Sequence, residues 1–449
     1  MKISLFSDGI TPFVTGGIQR HSYYLCKYLA KAGVDVDLYH TVPYFARGDG
    51  RSAASRLSSG VETSSDEASR LSSGVETSSD EASRLSTAEA QLKSGGDKTS
   101  PESDKIDLNS NPPDLTKIFT TQELNNITPH FIPFPKHKKL PGHYVRESYE
   151  YSCRVYDEFL KNSSNVDFVY SKNYTSWKYL EEKQKGKSLP PMGVKLHGYE
   201  LYQKQTSLRD WMGGFFHSQP TQFNSRMADI VFSYGGKITE IMEKKVGVLP
   251  EQIREIPTGI SEDWLLKDQK QTRHNGKTNF VFIGRYTRRK GIHLIEEAIP
   301  SCDPEKCTFT FIGPIPEEKQ LKLPNVNYTG PLKEEVEIRK ELQKADVLLC
   351  PSSAEGMPNV ILEGMASGCA VIATDVGAVG EMANERSGWL IQPENAKALE
   401  SSIQQSASLS LNALKEKQLQ SVRIVDQHFL WDKIADRIIT EIRTFTSRQ

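Results

Sequence analysis

Lys2-Ile-Ser-Leu-Phe6-Ser-Asp8-Gly-Ile-Thr-Pro-Phe-Val-Thr-Gly16-Gly17-Ile18 is the stretch on which the reading of the fold turns. Residues 2–6 read as a short buried strand, and the turn after them is rich in Gly and Pro. From Ile18 the pattern is helical, with Ile18, Leu25, Leu29 and Ala32 on one face until Gly33 ends it. Val34 to His40 then alternates like a second strand. Strand, glycine turn, helix and strand make a βαβ unit, which predicts a doubly wound parallel sheet.

Working outward, Val166–Tyr170, Met192–Leu196 and Ile230–Ser233 read as further strands of the same sheet. A second series follows at Phe280–Ile283, Thr308–Ile312, Asp346–Cys350 and Ala370–Ala373, separated by helical segments. Near-continuous apolar runs of this kind suit strands covered on both faces. Phe429 to Ile442 has the pattern of an amphipathic helix. The expectation is two similar α/β domains facing a central cleft. A chain of 449 residues exceeds one ordinary core, which agrees.

One segment breaks the order. Ala-Ser-Arg-Leu-Ser-Ser-Gly-Val-Glu-Thr-Ser-Ser-Asp-Glu occurs at 54–67 and again at 68–81, and a third copy decays after Ala82. The unit is too polar and too short to stack as a solenoid. Residues from about 47 to 115 are expected to form a disordered insertion, which a surface loop tolerates at little cost. The domains expected are therefore 1–264, interrupted by that insertion, and 265–428, with a closing helical segment at 429–449.

Composition excludes several classes. Lys and Arg number 56 against 57 Asp and Glu, so the net charge of -1 gives no reason to expect nucleic acid as a partner. The six cysteines form no CxxC pair, which indicates free thiols in a reducing compartment with neither disulfide framework nor zinc site. No apolar run approaches the roughly 18 residues of a membrane span. The Lys136-His-Lys138-Lys139 cluster leaves contact with anionic head groups open, against a solvated turn.

In parallel sheets, ligands sit at the carboxyl ends of the strands, so those turns carry the chemistry. After Cys350 comes Pro-Ser-Ser-Ala-Glu355-Gly356-Met357-Pro358-Asn359, then a helix containing Glu363 and closed by Gly368. Pro358 suits a first helical turn. Backbone N–H groups around Met357 to Asn359 then favour a phosphate, with two carboxylates beside it to accept from sugar and ribose hydroxyls. The plainer alternative makes Glu355 and Glu363 solvated charges. After Ile283 comes Gly284-Arg285-Tyr-Thr-Arg288-Arg289-Lys290-Gly291. Arg285 and Lys290 suit a diphosphate and would stabilise charge on a departing nucleotide; Arg288 and Arg289 read as surface residues. Gly16 and Gly17 let backbone approach a ligand closely. His197 in Lys195-Leu-His197-Gly198-Tyr-Glu200 follows a strand and reads as a contact to sugar or acceptor; Glu200 is a weaker candidate.

These turns together resemble the retaining GT-B glycosyltransferases of family 4. Glu355 and Glu363 match the E-x7-E signature, and Gly284 to Gly291 match its G-R-x4-K-G turn. The glycine-rich N-terminal loop and the His197-Gly198 element match as well. The resemblance implies two Rossmann-like domains, an acceptor half and then a nucleotide-sugar half, with the last helix crossing back to the first. It implies catalytic roles for His197, Glu355, Arg285 and Lys290. Donor contacts would come from Gly16, Gly17, Arg285, Lys290, Glu355, Gly356, Met357, Pro358, Asn359 and Glu363. Neither metal nor cofactor is expected, because the nucleotide-sugar (UDP- or GDP-linked) is a substrate and the two cations replace a metal. The acceptor implied is a glycan or lipid-linked glycan of cell-surface polysaccharide or lipopolysaccharide synthesis. The expected location is the cytoplasm, with peripheral attachment to the inner membrane face left open. Thr258-Gly259-Ile260-Ser261 departs from the Asn-Gly-Val/Ile-Asp usual between the domains. Two rival readings stand: a nucleotide-sugar epimerase or hydrolase, and a catalytically silent binding subunit.

Overall fold

The computed structural model describes residues 1–14, 16–42, 112–136, 142–204, 208–267, 272–273 and 276–448. The repeats at 54–81, and all but the last few residues of the expected insertion, lie outside the described residues.

Seven parallel strands form the first sheet: β1 (Lys2–Phe6), β2 (Asp35–Val42), β3 (Ile127–Pro133), β4 (Phe168–Lys172), β5 (Met192–Lys195), β6 (Ile230–Ser233) and β7 (Ile253–Glu255). Their order is β3-β2-β1-β4-β5-β6-β7. Six more form the second: β8 (Thr278–Ile283), β9 (Cys307–Ile312), β10 (Val326–Gly330), β11 (Val347–Cys350), β12 (Ala370–Thr374) and β13 (Gly388–Ile391). These are also parallel and run β10-β9-β8-β11-β12-β13. Both are doubly wound, and their order reverses between β1 and β4 and between β8 and β11. Ligand crevices open outside the carboxyl ends of strands at such reversals.

Four helices position the site: α1 (Gly17–Lys31), α2 (Glu335–Lys344), α3 (Asn359–Ala366) and α4 (Trp431–Thr446). In α1, Leu25, Cys26 and Leu29 are fully buried against Ile3, Leu5 and Leu38 of the first sheet. In α4, Trp431, Ile434, Ile438, Ile439 and Ile442 recur at helical spacing and join that same core. A helix that follows the second sheet in sequence thus completes the core of the first. Its entry is fixed by a short parallel bridge: Ile260 N donates to Phe429 O at 2.8 Å, and Trp431 N donates to Ile260 O at 3.1 Å. Gly259 sits there because a Cβ would meet Trp431 Cδ2 at 2.8 Å.

Strands β3, β7, β10 and β13 were not anticipated. β3 (Ile-Thr-Pro-His-Phe-Ile-Pro) carries two prolines, and β7 is only three residues long. As edge strands they have one hydrogen-bonded neighbour each, so a weak local signal suffices.

Candidate functional site in the interdomain cleft

Four turns meet where the carboxyl ends of the two sheets face each other. From the second sheet, the turn after β8 ends in a short 3-10 turn, Arg288–Lys290, and Gly291 at φ 69°. The left-handed backbone permits that turn only with glycine at low cost, and a Cβ there would lie 2.0 Å from Pro351 O. Gly291 therefore locks the cationic turn onto the loop after β11, which carries Glu355. Lys290 Nζ reaches Glu355 Oε1 at 2.5 Å. Burial pushes Glu355 up, but Lys290 and Arg289 outweigh it and hold the carboxyl below its ordinary value. Arg285 lies on the same turn, is exposed, and forms no ion pair among the described residues.

Glu363, one turn into α3, is 6% exposed, and Glu355 is 7% exposed. Neither is a solvated charge. Glu363 Oε1 accepts from Arg20 Nη1 at 2.5 Å, and Arg20 Nη2 lies 3.1 Å from Glu335 on α2. Arg20 stands on α1, so this ion pair crosses the cleft. Pro358 caps α3, one residue outside the first turn in which it was expected, with no side chain covering the N–H groups. Met357 is buried, and its sulfur accepts from Thr258 N at 3.2 Å. Asn359, Glu363, Arg20, His21 and Trp431 line a small cavity at the seam.

From the first sheet, Gly17 opens α1, and a Cβ on it would meet nothing within 4 Å. Its backbone faces open space, while Gly16 is closed off by the Gln19 side chain. His197, two residues past β5, bonds the Tyr234 hydroxyl through Nδ1 at 2.5 Å, and its Nε2 is buried without a partner. Burial, with Lys172 and Lys195 nearby, holds the imidazole well below its usual range. Gly198 touches the loop after β11 directly: a Cβ on Gly356 would lie 2.6 Å from Gly198 Cα. Gln203 fastens that contact, its Nε2 donating to Gly198 O at 2.8 Å and to Glu355 O at 2.7 Å. Glu200 lies 3.7 Å from Arg289, which thereby reaches across the cleft, whereas Arg288 stays exposed beside Glu394.

The structure therefore gathers His197, Gly356, Glu355 and Lys290 at one point and Arg20, Asn359 and Glu363 at another. Sequence reasoning missed Arg20, Gln203, Lys172 and Lys195. The two lysines did carry a signal, since each ends a strand buried on both faces, where a charge needs a reason. Arg20 and Gln203 had none, because their partners are 343 and 152 residues away.

Residues 277–408 match the family described as Glycosyl transferases group 1. The chain carries a group 1 glycosyltransferase domain on a GT-B fold. The putative teichuronic acid biosynthesis glycosyltransferase TuaC of Bacillus subtilis (strain 168) is 37% identical over 123 residues, 27% of this chain and 31% of that protein. The chain spans between 31% and 53% of the length of the first curated relatives it matches. Sucrose-phosphate synthase from Thermosynechococcus elongatus superposes with a TM-score of 0.69 at 16% identity, over 100% of each chain. Anabaena HepE, solved with UDP and glucose, gives 0.59 at 14% identity over 99% of each. These likenesses establish the two-domain GT-B architecture around the group 1 domain. Among the described residues no helix is long and apolar enough to cross a membrane, and no group of three or more His, Cys, Asp or Glu is placed to hold a metal ion. His137, Lys138 and Lys139 lie outside the described residues.

Proposed function

We propose that this protein is a retaining family 4 glycosyltransferase. It moves a sugar from a UDP- or GDP-sugar to a hydroxyl of a glycan or lipid-linked glycan, in cell-surface polysaccharide or lipopolysaccharide synthesis at the cytoplasmic side. The observation that carries the reading is the meeting of the cationic turn, the buried Glu355 and the His197-Gly198 element at one point of the cleft. TuaC's assignment to teichuronic acid synthesis and the UDP and glucose bound to HepE support the donor and pathway class.

In this reading Arg285 and Lys290 hold the diphosphate, and no metal is required because two cations oppose the charge that develops on it. Glu363 accepts from the ribose hydroxyls. Glu355 and the Gly356–Asn359 backbone hold the transferred sugar, with His197 on its other side. Gly17 leaves room for the donor from the first domain, whereas Gly16 is covered by Gln19. Closure of the two domains excludes water from the bond that breaks. The sugar passes through an oxocarbenium-like transition state, and the acceptor hydroxyl attacks from the face the nucleotide leaves. Its proton goes to the departing phosphate.

Thermal shift with UDP-, GDP- and ADP-sugars, in the absence of metal, tests the donor site. A donor at a hundred times its Kd adds about 2.7 kcal/mol. Arg285→Ala and Glu363→Ala should remain folded and lose that shift. Absence of any nucleotide-sugar response would favour a silent binding subunit, and donor turnover without a glycoside product would favour an epimerase or hydrolase.

A further inference from the structure

Arg20 stands one turn into α1, the helix that Gly17 opens, and its backbone N–H donates to Gly16 O at 2.9 Å. Its guanidinium is held from three sides. Nη1 donates to Glu363 Oε1 at 2.5 Å, Nη2 lies 3.1 Å from Glu335 Oε1, and Cζ stands 5.5 Å from the centre of the Trp264 ring. Trp264 is fully buried, so the surface under the guanidinium is fixed. One fork on the first domain thus spans two carboxylates of the second, on α2 and α3. A lysine has a single point charge to offer and could not do the same.

Arg20 uses only part of Glu363. A carboxylate offers about four acceptor positions on its two oxygens. Among the described residues, Arg20 Nη1 makes the one side-chain hydrogen bond to this carboxyl, and it does so on Oε1. Oε2 is left for another donor. Arg20 and Glu363 both line the cavity at the seam, together with Asn359 at the start of α3. Ribose hydroxyls have two ways to reach Glu363: displacing Arg20, or binding beside it. Charge decides between them. A hydroxyl is a neutral donor, so exchanging it for Arg20 would leave the Glu363 side chain, 8% exposed, without its cation. Breaking a buried pair in that way is strongly unfavourable. Arg20 therefore stays, and the hydroxyls take Oε2.

We propose that Arg20 is a positioning residue for the donor, acting through Glu363: it supplies the counter-charge and fixes the carboxylate in one orientation, so that Oε2 meets the ribose hydroxyls. The inference rests on the reading of Glu363 as the ribose contact. It adds that the nucleotide site is not complete within the second domain, because a side chain of α1 sets one of its acceptors. Without Arg20 the carboxylate loses the contact that fixes it and turns toward water, away from the hydroxyls. Donor affinity then depends on α1 being docked against α3.

The test titrates UDP, GDP and their 2′,3′-dideoxy analogues by calorimetry, without metal, into the full-length protein and its Arg20→Met variant. Wild type should bind one of the two nucleotides about tenfold or more tightly than its dideoxy analogue, as expected for hydrogen bonds to a charged acceptor. In Arg20→Met that preference should fall to about threefold or less, through weaker binding of the ribonucleotide, while the affinity of the analogue stays close to wild type. A residue that only braces the two domains would weaken both ligands alike and leave their ratio unchanged, and that result would overturn the proposal. Wild type that binds neither nucleotide, or does not separate the ribonucleotide from its analogue, overturns the reading of Glu363 itself, so the two failures are distinguishable. If Arg20→Met does not fold, the ¹⁵Nε resonance of Arg20 in wild type decides instead. It should move on adding the ribonucleotide and stay in place with the analogue. Equal movement with both, or none with either, would overturn the proposal.

Discussion

Gly356→Ala is the substitution that most directly probes closure of the cleft. The new Cβ would sit 2.6 Å from Gly198 Cα and 3.0 Å from Gly198 N. Ordinary carbon contacts begin at about 3.5 Å, so the shortfall is about 1 Å. The obstacle is backbone, so no side chain can swing aside. Gly356 cannot retreat easily either, because its carbonyl accepts from Ala378 N at 2.8 Å and Gly377 packs behind it. The two domains must therefore part by about 1 Å at the point where donor sugar and His197 are expected to meet. Misplacement of that size costs roughly 100-fold in rate, or about 2.7 kcal/mol of transition-state stabilisation. Each half should still fold, since the added methyl lies at the seam and not inside either sheet's core. The assay is kcat/KM for glycoside formation with the donor found by thermal shift, alongside small-angle scattering of the free protein. A variant within threefold of wild type, with unchanged scattering, would refute the claim that this glycine contact defines the working closed state.

Three further outcomes follow from the same geometry. Lys290→Met leaves Glu355 buried without its cation. The folded carboxyl of wild type is depressed, so its stabilising share is present above the unfolded value and is lost as pH falls through the folded one. The variant should be less stable by about 2 kcal/mol at pH 7, below the range for a fully buried pair because Lys290 is partly exposed. The gap between the two melting curves should narrow toward pH 4, and a constant gap would contradict the pairing. Ile438→Ala, at a fully buried α4 position, should cost about 2–5 kcal/mol in urea unfolding, and a cost below 1 kcal/mol would mean that α4 is not part of the first domain's core. Gln203→Leu strands the Gly198 and Glu355 carbonyls and should cost about 1–3 kcal/mol, visible as a lowered Tm, and no change in Tm would mean the bridge contributes nothing.

The architecture was legible because buried parallel strands leave a strong local trace: short apolar runs, glycine turns and helical periodicity between them. Phe280–Ile283 and Ala370–Ala373 needed no partner to be recognised, and the E-x7-E and G-R-x4-K-G spacings sit within single strand–turn–helix units. Edge strands such as β3 and β7 were silent, since one-sided pairing asks little of the sequence. The pairing of the motifs was equally silent. Sequence determined that Glu355 and Lys290 stand in the turns that follow strands, and Glu363 in the helix after one of them. Only the tertiary structure decided that Glu363 meets Arg20 of α1, that Glu355 meets Lys290, and that Gly356 rests on Gly198. It also gathered Lys172, Lys195, His21 and His197 into one buried cluster, from elements that span 177 positions of the chain. The reason is physical: periodicity and turn chemistry act over a few residues, whereas charge pairing and close backbone approach act through space and leave no mark on the intervening sequence.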